Sequence, residues 1–411
     1  MNKRRIAALL LCIPLIFSGG CSLIDIDQEK ADAIENAKVL IEYKDVDITK
    51  GQVVQYMKQT LAQQGSTLED VQSDETSWKT YLDSILSQLS VDEIGLEKAA
   101  EKEFDQLTDD DNKKIDEEYT STVDSIKSYA EYIAKAAVED DPTKNYDDEY
   151  QNVMSTYFDS LGFTQESYRD EVKKNFILKK VYDDVIKDVT VTDEEVKETY
   201  DSQISIQQGN IKNQPSFVET QKQLGSKVLV YPDGYMNVRH ILLSFDDETK
   251  SAATTAYGEN KTSDYEKLIA DGKAALQTKI DDIQSRLSAG EDFGKLMEEY
   301  NDDSLYTIEP YTTEGTEIGP FMKEDVPGYL DAVAKLTKEG QVSEPLVTYN
   351  GVYLIQCVKL LAGVVPYDDV KEEMTSSMLS GKQSTEWSTV TQAWVEDAKK
   401  AGALKIYPER F

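Results

Sequence analysis

The chain has 411 residues, 78 acidic against 44 basic side chains and a single histidine, for a formal net charge of −34. Phosphate contacts need clustered Lys and Arg, so this balance excludes nucleic acid as a partner. The length predicts about two or three domains with a real core. The acidity keeps an exposed chain soluble; it suits basic clients or wall-bound cations, and charge alone selects neither.

Residues 1–20 stand apart. "MNKRR" is a basic start, "IAALLLCIPLIF" an apolar run, and "SGGC" a small-residue end. The apolar run is too short to span a bilayer as a mature helix. The whole segment resembles a bacterial lipoprotein signal, in which Cys21 becomes the lipid-bearing N-terminus; Ser18 stands where that pattern usually has Leu. An ordinary secretory signal is the alternative. Cys12 lies in this segment and Cys357 in a distant apolar run, so with Cys21 lipidated no internal disulfide is expected. Cys357 reads as a small buried hydrophobe rather than a nucleophile.

Residues 36–48, "NAKVLIEYKDVDI", predict a short strand, and "TKGQVVQYMKQTLAQQG" an amphipathic helix. From there to about residue 204, apolar residues recur at three- and four-residue spacings with few prolines, which predicts helix almost throughout. Thr192 and Glu195 form a capping box opening one of these helices. The run "LTDDDNKKIDEEYT" invites a calcium-loop reading from Asp109, Asp111 and Asn112. Such a loop needs glycine at its sixth position and glutamate at its twelfth; this run has Lys114 and Thr120, so a solvated helix start is expected.

The texture changes after the gap "QGNIKNQPSFVETQKQLGSK". "KVLVYPDGY", "NVRHILLSF", "QVSEPLVTYN" and "GVYLIQCVKLL" read as strands, separated by helical stretches such as "DYEKLIADGKAALQTKIDDIQSRLSAG". Together they predict an α+β unit over 232–363, after which the chain returns to helix.

Five segments of that unit carry a resemblance, in order. "VRHILLSF", "AGEDFGKLMEEYNDD", "GTEIGPF", the "GQVSEP" turn and "NGVYLIQCV" are similar to the successive motifs of parvulin-type peptidyl-prolyl isomerases. The lipobox, "VLIEYKDVDITKGQVVQYM" and the long helical region extend the likeness to the PrsA foldases, surface lipoproteins related to the chaperone SurA. The resemblance implies a multidomain fold, α and α+β: a mostly helical chaperone domain formed by N- and C-terminal segments, with an inserted parvulin-like α+β domain. The expected layout is a signal over 1–20, a tether over 21–35, a helical N-terminal domain over 36–231, the parvulin-like domain over 232–363 and a C-terminal helix over 364–411 packing back on the helical domain.

Carried over by position, the resemblance implies a catalytic group of His240, Asp303 and Tyr353. It implies a substrate-binding group of Ile318, Phe321, Val326, Tyr329, Thr348 and Asn350. The departure is Tyr353, where parvulins usually have a second histidine. X–Pro bonds interconvert over a barrier of about 18–20 kcal/mol that arises from amide resonance. The twisted transition state is less charge-separated than the planar imide, so an apolar grip on proline favours it without metal or cofactor, and neither is expected. His240 then reads as a hydrogen-bonded core residue holding the pocket, against Tyr353. Asp303 has two readings, a group near the peptide carbonyl or a helix cap. Tyr329 and Phe321 read equally as core aromatics.

The function implied is an extracytoplasmic foldase, lipid-anchored to the outer face of the cell membrane. It would bind unfolded secreted polypeptides and isomerise their X–Pro bonds. A holdase with a weakened parvulin domain is the alternative that Tyr353 motivates. A solute-binding lipoprotein fits poorly, since such proteins alternate strands and helices in two lobes. A homodimer is compatible with the sequence.

Overall fold

The computed structural model describes residues 32–160 and 163–411. The expected signal and Cys21 lie outside them. The described residues fall into two compact units, one reaching to Thr190 and resumed at Leu379–Phe411, the other formed by Val191–Met378. Among the described residues no helix is long and apolar enough to cross a membrane.

In the first unit the stretch expected as one strand is a hairpin. Strands β1 (Val39–Tyr43) and β2 (Val46–Thr49) pair antiparallel, and Lys44 takes the left-handed conformation (φ 53°) at the turn. The last strand of the chain, Leu404–Ile406, adds to the other side of β1. Sequence reading had that segment as helix only; its three residues carry too little periodicity to register.

Helices α1 (Lys50–Gln63), α2 (Leu68–Gln72), α3 (Glu75–Glu101), α4 (Asp109–Asp140), α5 (Tyr146–Ser160) and α6 (Gln165–Ile186) follow. Their starts are set chemically. Thr67, Thr108 and Thr164 each accept a backbone N–H three residues on and close reciprocal capping boxes. The acidic run is thus the first turn of α4, where carboxylates complement the helix dipole. One core joins Leu40, Ile41, Val53, Met57, Leu86 and Ile94 to Val395 and Leu404. Fully burying such side chains stabilises by about 1.5–3 kcal/mol each.

The second unit begins with α7 (Asp193–Asn213), opened by the Thr192–Glu195 capping box, and α8 (Phe217–Gln223). Strand β3 (Val230–Tyr231) leads to β4 (Met236–Ser244), then α9 (Asp247–Gly258), α10 (Thr262–Ser288) and α11 (Phe293–Tyr300). After β5 (Thr316–Ile318) come α12 (Tyr329–Val333), β6 (Leu346–Val347), β7 (Gly351–Leu360) and β8 (Gly363–Val364), before the helix α13 (Tyr367–Lys400). The sheet runs β5–β4–β7–β6, all antiparallel. A separate two-stranded ladder, β3–β8, sets Val230 opposite Val364. There the Gln207 amide donates to the Lys227 carbonyl (2.8 Å) and accepts from the Leu229 N–H (2.8 Å). The compact unit is thus wider than 232–363, since Val196, Tyr200, Val370 and Met374 share one core with Leu229 and Val230.

Candidate functional site

Strand alternation decides what the central pair β4–β7 shows on each face. Ile241 and Leu243 on β4, with Val352 and Leu354 on β7, turn to one side. They pack against Ile280 and Ile283 of α10 and Phe293, Leu296 and Met297 of α11. His240 pairs with Ile355 and Leu242 with Tyr353, so these four turn to the other side. Met236, Val238 and Cys357 join them in a second apolar layer. "VRHILLSF" therefore carries its histidine on the face opposite the helices. Gly351 starts β7 at φ +147°, where a Cβ would lie 2.1 Å from the Leu243 carbonyl oxygen; glycine alone permits the strands to meet so closely.

His240 is 5 % exposed and bonded at both ring nitrogens. Nε2 lies 3.0 Å from an Asp303 carboxylate oxygen and Nδ1 2.9 Å from the Tyr329 hydroxyl. Three aromatic rings surround it: Tyr306 at 4.0 Å between centroids, Tyr353 edge-on at 5.0 Å and Tyr329 at 5.8 Å. The expected partnership with Tyr353 is thus a ring contact. The hydrogen bonds go to Asp303 and Tyr329 instead, because Tyr353 pairs with Leu242 and its hydroxyl accepts the Asn350 amide (3.2 Å).

The loop "NDD" after α11 holds Asp303 in place. β5 pairs with β4 only as far as Val238, leaving the backbone of Leu242 and Ser244 unpaired on that edge. Asn301 Oδ1 accepts the Leu242 N–H and Asp302 Oδ2 the Ser244 N–H, both at 2.8 Å, while the Asp302 N–H donates to the Leu242 carbonyl (2.9 Å). Clamped to the strand this way, Asp303 makes the expected cap and a second bond to His240. One oxygen meets His240; the other accepts the Leu305 N–H (3.0 Å), capping the turn Ser304–Thr307. The His240 hydrogen bond, with that of Leu305, holds the Asp303 carboxyl below its ordinary range, against the opposing effect of burial. Burial raises the phenols of Tyr306, Tyr329 and Tyr353, most strongly Tyr329, so all three stay protonated donors. A carboxylate can only accept, so the neutral imidazole carries its proton on Nε2 and takes the Tyr329 hydroxyl at Nδ1.

Beside this group, Ile318, Val326, Tyr329 and Leu346 pack half-buried on the layer of Met236, Leu242, Tyr353 and Ile355. They form an apolar wall one side of which is polar, through the partly exposed Asp303. Phe321 is 44 % exposed and stands outside this apolar layer. Asn350 lies on the β6–β7 turn with its amide on Tyr353. Thr348 corrects the expectation of a substrate contact. It is fully buried, and its hydroxyl accepts the Asn350 N–H (3.1 Å) inside the turn, so it shapes the turn. Among the described residues no cluster of His, Cys, Asp or Glu could hold a metal.

Sequence reading missed Tyr306, Asn301 and Asp302. Tyr306 follows Asp303 by three residues in "NDDSLY", a spacing that puts both on one face of a helical turn.

The model of the family Rotamase, PPIC-type PPIASE domain, matches residues 240–359, from the site histidine to the end of β7. "Foldase protein PrsA" of Clostridium acetobutylicum is 24 % identical over 406 residues, 97 % of this chain and 96 % of that one. The protein of that name from a Clostridium botulinum strain is 25 % identical over 418 residues, 100 % and 98 % of the two chains. Among solved structures, PrsA from Bacillus subtilis aligns over 89 % of this chain and 93 % of its own at 19 % identity and a TM-score of 0.23. Residues 240–359 are a parvulin-type peptidyl-prolyl isomerase domain, set in a chain similar over nearly its whole length to the PrsA foldases.

Proposed function

We propose that the chain is an extracytoplasmic foldase that binds unfolded polypeptides and isomerises their X–Pro bonds at the face around His240. The observation that carries this is the apolar wall of Ile318, Val326, Tyr329 and Leu346 beside a fixed, partly exposed carboxylate. A prolyl ring seated on that wall leaves water, and the planar imide loses more solvation there than the less polar twisted form. Asp303, ionised beside the carbonyl, opposes the negative charge that resonance places on that oxygen and so weakens the double-bond character of C–N. Lowering the barrier by about 4 kcal/mol gives roughly a thousandfold. His240 has both nitrogens engaged and serves to hold Asp303 and Tyr329, not to transfer a proton.

Lipid attachment at Cys21, outside the described residues, would keep the chain at the outer face of the membrane, where secreted clients emerge unfolded. Pairing into a homodimer is compatible with this reading, and sedimentation velocity tests it. A protease-coupled prolyl assay on residues 22–411 tests the central claim: the expected rate exceeds the uncatalysed one, and equality removes the enzymatic half.

A holdase with a weakened parvulin domain is favoured by one observation. Tyr353 stands where parvulins usually have histidine, and its phenol bonds to Asn350 rather than to His240. That reading predicts suppressed client aggregation with no prolyl activity.

A further inference from the structure

We propose that Tyr306 is a positioning residue for the isomerase site, holding the His240 imidazole in the plane and tautomer that orient Asp303 and Tyr329. The inference rests on the proposed isomerase reading for its kinetic arm only.

Two contacts carry it. The Tyr306 ring lies on the imidazole with centroids 4.0 Å apart and planes tilted by 39°, the closest ring contact His240 makes. Its hydroxyl donates to the Thr316 hydroxyl (2.7 Å). Thr316 sits on β5 opposite Val238, two residues before His240 and two before Ile318, a member of the apolar wall. Tyr306 is 6 % exposed, so neither contact is a surface accident.

The geometry makes the ring contact consequential. His240 must keep both nitrogens in line with partners on different elements, Asp303 after α11 and Tyr329 at the start of α12. A histidine ring turns over a broad torsional range about its second side-chain bond, unlike an sp³ torsion. Hydrogen bonds favour the in-plane arrangement, yet each fails if the ring tilts far from linearity. Tyr353 and Tyr329 stand nearly perpendicular to the imidazole, at 82° and 77°, and their centroids lie farther off. Tyr306 covers a face. The Thr316 bond in turn fixes Tyr306 to the strand that carries the pocket wall, so the polar and apolar halves of the site share one register.

His240 is the only histidine in the chain, so labelling the full chain with 13C,15N-histidine gives one imidazole to observe. At pH 8 the wild-type protein is expected to show a protonated Nε2 and an unprotonated Nδ1, each a single sharp signal. Tyr306→Leu should draw the two nitrogen shifts toward a tautomer average. It should lower kcat about tenfold or more with little change in KM, as loss of an interaction made in the transition state does. Tyr306→Phe keeps the ring and should leave the tautomer as it is, with broadened signals and kcat lower by about threefold. Thr316→Val should reproduce Tyr306→Phe, and the double variant should add nothing, since both remove one bond. A folded Tyr306→Leu protein with wild-type nitrogen signals overturns the proposal and leaves Tyr306 as core packing. If Tyr306→Leu does not fold, additive effects of Tyr306→Phe and Thr316→Val, or sharp unchanged signals in both, overturn it equally. A wild-type chain without prolyl activity counts against the proposed function, while the nitrogen signals still decide the placement of His240.

Discussion

Replacing Asp303 by alanine removes two bonds at once, and their sizes follow from the structure. The Oδ1 bond to the Leu305 N–H caps the turn Ser304–Thr307, and loss of such a cap costs about 1 kcal/mol. The Oδ2 bond satisfies His240 Nε2, which is buried, and an unsatisfied buried donor costs about 1–3 kcal/mol. Asp303→Ala should therefore destabilise the unit by about 2–4 kcal/mol at pH 7. Asp303→Asn keeps one acceptor oxygen and sets its NH2 against the other donor, so it should recover only part of that loss. The pH dependence has a definite sign. The folded carboxyl titrates below its ordinary value near 3.8, so its contribution is complete above the unfolded pKa and is lost as pH falls through the folded one. The difference between wild type and Asp303→Asn should accordingly be constant from pH 6 to 8 and shrink below about pH 4. Urea unfolding followed by tryptophan-independent far-UV signal, repeated across that range, measures both quantities. Equal stability of Asp303→Ala and wild type at pH 7 would mean that the carboxylate does not hold the histidine, and the site description would fail.

Gly351→Ala forces a Cβ to within 2.1 Å of the Leu243 carbonyl at a positive φ, and should cost about 1–3 kcal/mol or more in urea unfolding; an unchanged midpoint refutes the close strand approach. Leu243→Ala, deleting a side chain with no exposed surface, should cost about 2–5 kcal/mol in the same measurement. Cys357 is fully buried and burial raises its thiol, so in native protein it should resist aromatic disulfide reagents until urea is added; rapid labelling would place it elsewhere. Tyr353→His restores the usual parvulin residue beside His240 and should raise kcat/KM, with a tenfold gain corresponding to about 1.4 kcal/mol of barrier. No gain, with the fold intact, would show that the phenol is no handicap.

The parts of the site that lie on long strands were legible in the sequence. "VRHILLSF" and "NGVYLIQCV" alternate or run apolar over enough residues to announce strands, and their order identified the domain. The periodic helices α3 to α6 and α10 were equally plain, as was the Thr192–Glu195 capping box. What escaped notice was short or long-range. The edge strand Leu404–Ile406 pairs with β1 across most of the chain, a contact that no local period records. The split of 36–48 into a hairpin turned on the single left-handed residue Lys44. At the site, the missing second histidine points to Tyr353, but the hydrogen bonds of His240 go to Asp303 and Tyr329. The hydroxyl that reaches Nδ1 comes from Tyr329, brought in by the loop between β5 and α12. Thr348 reads as a polar contact by position, yet the turn into β7 buries it. Asp303 reads as either cap or site residue; it makes the cap and a second bond to His240.

Central to the proposed function is a lowered barrier to X–Pro isomerisation at the face around His240. The direct measurement is the prolyl cis-trans rate of a short X–Pro peptide with residues 22–411 present, compared between wild type and Ile318→Ala/Leu346→Ala, which strips the apolar wall without replacing Asp303 or His240. The account predicts a catalysed rate for wild type that falls at least about tenfold in the double variant while the His240 nitrogen signals stay unchanged. A wild-type rate equal to that of the peptide alone contradicts it, and so does full activity in a folded double variant.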